Sequence, residues 1–179
     1  MNWFGVLEHH VARTPAKPLC VFGHNVVTYE QMADRAAALA AGLQARGVGT
    51  GDVVGLLSYN CTEFLETIFA ANYLGAVAMP INWRLAAPEV RYILEHSEAR
   101  ALVCDESLVE LANEATTGME ATLVRACVSG PGRAGWTLLA DLRSASDVSP
   151  RACTDGDDVH RLMYTSGTCL LYTSDAADE

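Results

Sequence analysis

Apolar positions along this chain fall into two patterns that alternate. Short, continuous apolar runs of strand length are separated by longer stretches in which apolar residues return every three or four positions. Thr28-Tyr29-Glu30-Gln31 has the form of a capping box, and Met32, Ala36, Leu39 and Leu43 follow at helical spacing, with Gly47 placed to end the helix. Val53–Leu57 then reads as a buried strand, and a second helix is expected from near Asn60, capped by Asn60 with Glu63 three residues on, to Gly75. Ala76–Met79 is the next strand, closed by Pro80, and Pro88 marks the first turn of a further helix. Ala101–Cys104 predicts a strand, Ser107–Ala115 a short helix, Thr122–Val128 a strand and Trp136–Arg143 a weak helix. Residues 144–158 are polar and turn-rich, and Val159–Tyr164 is strand-like again.

Strands alternating with helices at this spacing predict an α/β fold with a mostly parallel sheet flanked by helices. Ligands in such folds bind beyond the carboxyl ends of strands. That rule selects two stretches, Pro80-Ile81-Asn82-Trp83-Arg84-Leu85 and Thr165-Ser166-Gly167-Thr168. The glycines of Gly47–Asp52 precede a strand instead of following one, so they read as a turn and not as a dinucleotide loop.

Composition narrows the function without naming it. The 179 residues carry a net charge of −10, or −7 without Asp175, Asp178 and Glu179. No basic stripe appears, which argues against nucleic-acid binding. Cys20, Cys61, Cys104, Cys127, Cys153 and Cys169 show no C-x-x-C spacing and no accompanying histidines, so no metal site is expected and they read as small hydrophobes. The first residues lack the pattern of a signal peptide, and the apolar stretch from Thr67 to Ile81 is too short to span a membrane. The expectation is a cytoplasmic protein with no transmembrane segment. His9, His10, His24, His96 and His160 have no partner pattern, and none reads as a catalyst.

Thr165, Ser166, Gly167 and Thr168 put three hydroxyls and a glycine directly after an apolar run. Hydroxyls and backbone N–H groups in a tight turn suit phosphate oxygens, although an ordinary polar turn would look similar. The longer string from Asp157 to Thr168, DDVHRLMYTSGT, resembles the lead-in to the phosphate-binding loop of the adenylate-forming enzymes. Two other stretches are similar to that superfamily, in the same order. They are VTYEQMADRAAALAAGLQARGVGTGDVVGLL and NCTEFLETIFAANYLGAVAMPINWRLAAPEVRYILEHSEARALVCD. Within the superfamily, PINWRL resembles the form of this loop in fatty-acyl and medium-chain acyl-CoA synthetases.

The resemblance implies that residues 1–168 are the N-terminal, incomplete part of the large domain of an ATP-dependent acyl-CoA synthetase. A carboxylic acid would be activated to an acyl-adenylate and passed to CoA, with ATP and Mg²⁺ required. Thr165, Ser166, Gly167 and Thr168 would contact ATP phosphates, and Asn82 and Arg84 would form a structural or functional loop. Asp157 and Asp158 also match, but read better as a solvated turn. Where the family continues with Ser/Thr, Gly and a lysine, this chain has Cys169-Leu170-Leu171-Tyr172. The adenine, ribose and Mg²⁺ contacts and the C-terminal domain would all lie further on. No catalytic residue is therefore expected within the chain, which should be inactive as it stands, and a sheet ended early should be poorly soluble.

Residues 169–179, CLLYTSDAADE, fit neither period. They resemble the codon-by-codon translation of a transposase adapter, TGT CTC TTA TAC ACA TCT GAC GCT GCC GAC followed by GA and a purine. The repeated Tyr-Thr-Ser is then coincidental. Two alternatives stay open, a short non-catalytic protein that binds a nucleotide or a partner, and an adenylation domain for amino or aryl acids.

Overall fold

The computed structural model describes residues 3–143 and 158–165. The chain begins with helix α1 (Trp3–Arg13) and an antiparallel hairpin of β1 (Pro18–Phe22) and β2 (Asn25–Thr28). These elements have no counterpart among the sequence expectations. The capping box is present as expected. Gln31 N donates to Thr28 Oγ1 at 3.2 Å, and Thr28 N donates to Gln31 Oε1 at 3.0 Å, opening α2 (Tyr29–Gln44). Thr28→Ala is expected to cost about 1 kcal/mol in urea unfolding, and Thr28→Ser a few tenths, because the serine hydroxyl can still accept.

The anticipated stripe of α2 is fully inside: Met32, Ala36, Leu39 and Leu43 are all buried. Each of the larger side chains contributes about 1.5–3 kcal/mol through removal from water. Beyond the helix, Gly47 adopts φ +86, a left-handed conformation that turns the chain toward β3 (Val53–Leu57). α3 (Thr62–Leu74) starts later than expected. Asn60 does not cap it; Cys61, in extended conformation, holds that position without a side-chain bond. Gly75 closes the helix in the left-handed conformation, as its place in the sequence suggested.

β4 (Val77–Pro80), α4 (Ala87–His96) and β5 (Ala101–Cys104) follow the expected order. The Ser107–Ala115 helix is divided, a 3-10 turn over Glu106–Leu108 leading into α5 (Val109–Ala115). After β6 (Val124–Cys127) the expected helix Trp136–Arg143 is corrected to β7 (Thr137–Leu138) and α6 (Leu139–Arg143). Thr137 and Leu138 pair with Ala126 and Cys127 in the sheet, and this pairing overrides their local preference. The strand expected over Val159–Tyr164 is a single parallel bridge between Arg161 and Ala78. The turn-rich stretch at 144–157 and the tail at 169–179 lie outside the described residues.

All five strands of the main sheet are parallel, in the order β4-β3-β5-β6-β7. Alternate residues feed two cores. Val54, Leu56, Ala78, Ala101, Val103 and Ala126 lie with α1, α2, α3 and α6. Leu57, Met79, Leu102, Cys104 and Cys127 lie with α4 and α5. Helices on both faces bury both sides of the sheet, so its strands read as continuous apolar runs. Among the described residues no helix is long and apolar enough to cross a membrane.

Candidate functional site

The connection after β3 leads to α3 on one face, whereas those after β4 and β5 lead to α4 and α5 on the other. In doubly wound sheets the binding crevice lies where neighbouring connections diverge in this way, which makes the carboxyl end of β3 the candidate position. Three connections leave the sheet at this edge: Ser58-Tyr59-Asn60 after β3, Asn82-Trp83-Arg84 after β4 and Asp105-Glu106-Ser107 after β5. The strands stay paired up to this edge, with Ile81 N donating to Leu56 O at 2.8 Å and Asp105 N donating to Leu57 O at 2.9 Å.

Asn82 and Arg84 have partners within their own loop. Asn82 Oδ1 accepts from Arg84 N at 3.1 Å, and its carbonyl accepts from Leu85 N at 3.1 Å, so Asn82 builds the turn. The Arg84 guanidinium lies 4.2 Å from the centroid of Trp83, whose ring is 4.8 Å from that of Tyr59. The sequence reading missed this exposed cation over the Trp83 ring, with Tyr59 packed against the same tryptophan. Its signal was an aromatic residue close behind each of two buried strands. Asp105 accepts from the backbone and hydroxyl of Ser107, at 3.0 and 2.7 Å, which starts the 3-10 turn and uses the carboxylate structurally.

The Asp158–Thr165 segment lies alongside β4. Ala78 N donates to His160 O at 3.2 Å, and Leu162 N donates to Ala78 O at 3.0 Å. Asn72, buried in α3, donates from Nδ2 to the same His160 carbonyl at 3.0 Å. Arg161 stacks on Trp3 of α1, its guanidinium 4.6 Å from the ring centroid. Leu162 and Tyr164 pack against the core under α4. The two loops selected from the sequence thus leave adjacent, parallel segments. Thr165 is exposed at the end of the second, while Ser166, Gly167 and Thr168 lie outside the described residues. Asp158 is exposed, as a solvated turn requires, and Asp157 is also outside them.

Two of the cysteines, Cys104 and Cys127, are buried parts of the sheet. Cys104 and Cys127 face each other across β5 and β6, and their thiols donate to Asp105 O at 3.1 Å and Ser129 O at 2.9 Å. Burial pushes both thiols up, so neither is a thiolate near neutral pH.

Comparison with known proteins agrees with this architecture. The family model of AMP-binding enzymes matches residues 7–169. A feruloyl-CoA synthase from an Amycolatopsis species is 37% identical over 146 residues, covering 82% of this chain and 27% of that protein. A long-chain-fatty-acid–CoA ligase from Mycobacterium tuberculosis is 39% identical over 147 residues, covering 79% of this chain and 27% of that protein. The crystal structure of an anthranilate CoA ligase in complex with anthranoyl-AMP superposes with a TM-score of 0.86 at 26% identity, over 93% of this chain and 32% of that one. The chain therefore spans about a quarter to a third of the length of the relatives it matches. A parallel sheet wound on both faces, a segment beside β4 that ends at Thr165, and a match over residues 7–169 lead to one conclusion: this chain belongs to the AMP-binding enzyme family.

Proposed function

We propose that the protein to which this chain belongs activates a carboxylic acid with ATP and transfers the acyl group to CoA. The observation that carries the reading is the placement of Tyr164-Thr165, the start of the Tyr-Thr-Ser-Gly-Thr string, on a segment docked parallel to β4, the strand next to the switch strand β3. Support comes from relatives named as CoA ligases and synthetases, and from the anthranoyl-AMP bound in one of them.

In this reading the hydroxyl and backbone N–H groups of Thr165, Ser166, Gly167 and Thr168 hold phosphate oxygens of ATP. Donors of this type stabilise negative charge as pyrophosphate departs. The exposed Thr165 hydroxyl fits that use, and Mg²⁺ would neutralise further phosphate charge when bound. No residue of the chain is assigned to the metal, and no lysine follows Thr168. Residues 1–168 are then the start of the nucleotide-activating domain, residues 169–179 are foreign to it, and the chain alone does not catalyse adenylation. Arg84, backed by Trp83, offers a cation at the crevice for an anionic group.

The PINWRL form favours a fatty acid. A second reading, an aryl acid, is favoured by the feruloyl-CoA synthase and an indoleacetate–CoA ligase that is 33% identical over 164 residues. The experiment is to read the source gene onward from the Thr168 codon, produce the encoded protein and offer it CoA, ATP and a panel of fatty and aryl acids. Mass spectrometry is expected to find a CoA thioester of a fatty acid. A thioester of an aryl acid alone would move the assignment to the second reading, and no thioester from any acid would overturn both.

A further inference from the structure

Three side chains outside the crevice converge where the segment beside β4 gives way to Thr165. His96 is in the last turn of α4, and Tyr164 follows it by 68 residues. The His96 Nδ1 to Tyr164 hydroxyl distance is 2.6 Å, and the two rings meet edge to face with centroids 5.8 Å apart. Tyr92, one helical turn before His96, stacks on the imidazole at 5.4 Å and 28°. The imidazole is thus held between two tyrosines.

We propose that His96 is a positioning residue for the phosphate loop, fixing Tyr164 so that Thr165 starts from a defined point; this rests on the reading above that Thr165–Thr168 contact ATP. Among the described residues, the last backbone bond from the segment to β4 is that of Leu162. Among the described residues, the Tyr164–His96 bond is the last side-chain hydrogen bond before Thr165. Burial, and then the neighbouring Tyr92, push the Tyr164 phenol up, so it keeps its proton and has an O–H to donate. A phenol O–H is a stronger donor than an imidazole N–H. With the phenol as donor, Nδ1 accepts and the neutral ring carries its proton on Nε2, which is the tautomer the proposal requires.

Two measurements separate this contact from the functional reading. In the 179-residue chain, long-range ¹H–¹⁵N NMR at a pH where His96 is neutral is expected to show the Nε2–H tautomer. Tyr164→Phe keeps the ring edge but removes the donor. It should mix the tautomers and speed amide exchange of Leu162 by about 2–10-fold, the worth of one hydrogen bond. A mixed tautomer in the parent chain, unchanged by Tyr164→Phe, would overturn the proposal.

In the gene-extended protein, His96→Phe is expected to raise KM for ATP about 5–10-fold with a smaller change in kcat. His96→Asn, which returns a polar group near the Nδ1 position, should recover most of it. Equal effects of Phe and Asn, or none from either, would overturn the positioning role. An extended protein with no ATP-dependent activity but an intact Nε2–H tautomer would instead sink the functional reading on which that role depends.

Discussion

Arg143→Ala is expected to lower the unfolding free energy of the chain by about 3 kcal/mol, read as a shift of the urea midpoint. Glu66 is fully buried in α3, and Arg143 reaches it bidentately from the end of α6, Nε to Oε1 at 2.6 Å and Nη2 to Oε2 at 2.8 Å. Removing one partner of a buried pair leaves an uncompensated charge, at about 3–5 kcal/mol. The lower end applies here because the Arg143 side chain is 26% exposed and water can partly replace it.

The pH dependence follows from the same pair. Burial raises the Glu66 carboxyl above the ordinary carboxylate range, and Arg143 offsets this only in part. The folded state thus holds this proton more tightly than the unfolded chain. The stabilising contribution is complete below the ordinary carboxylate pKa and is lost as pH rises through the folded value. Loss of Arg143 raises the folded value further. The stability difference between Arg143→Ala and the parent should therefore widen as pH rises from 4 to 8. Adding Glu66→Gln should abolish that widening; a gap that stays constant with pH would remove the linkage argument.

Gly42→Ala is expected to destabilise by about 1–3 kcal/mol, although the same change inside an ordinary helix stabilises by up to about 1 kcal/mol. A Cβ at Gly42 would lie 2.6 Å from the carbonyl carbon of Leu142 and closer still to its oxygen. The obstacle is backbone, which cannot rotate away, so α2 and α6 must separate. That movement would also disturb Arg143, the next residue, and the two substitutions should not be additive. Gly55→Ala provides the contrast. The nearest atoms to its Cβ would be the terminal methyls of Ile81, Leu94 and Leu102, each at 3.3 Å, and the cost should stay below about 1 kcal/mol. Equal losses at both positions would show that backbone contact is not the determinant.

These two sites mark where sequence reasoning stopped. β3 and β5 were legible because a parallel sheet buried on both faces leaves unbroken apolar runs, and α2 because its capping box is local. β7 was not, since two residues become a strand only when β6 is beside them. Glu66 looks like a surface residue of an amphipathic helix, and its partner stands 77 positions away. The same applies to His96 and Tyr164. Local order was enough to select Thr165–Thr168 and the Asn82–Arg84 turn. The pairing of Arg161 with Ala78, which sets their segments side by side, needed the fold.

The measurement that bears most directly on the account is acid-dependent exchange of labelled pyrophosphate into ATP by the protein read on from the Thr168 codon. The expected result is exchange that requires a carboxylic acid and Mg²⁺ but not CoA, with none from the 179-residue chain. Absence of exchange with every acid, from a folded protein whose frame continues past Thr168, would contradict the assignment of Thr165–Thr168 to ATP.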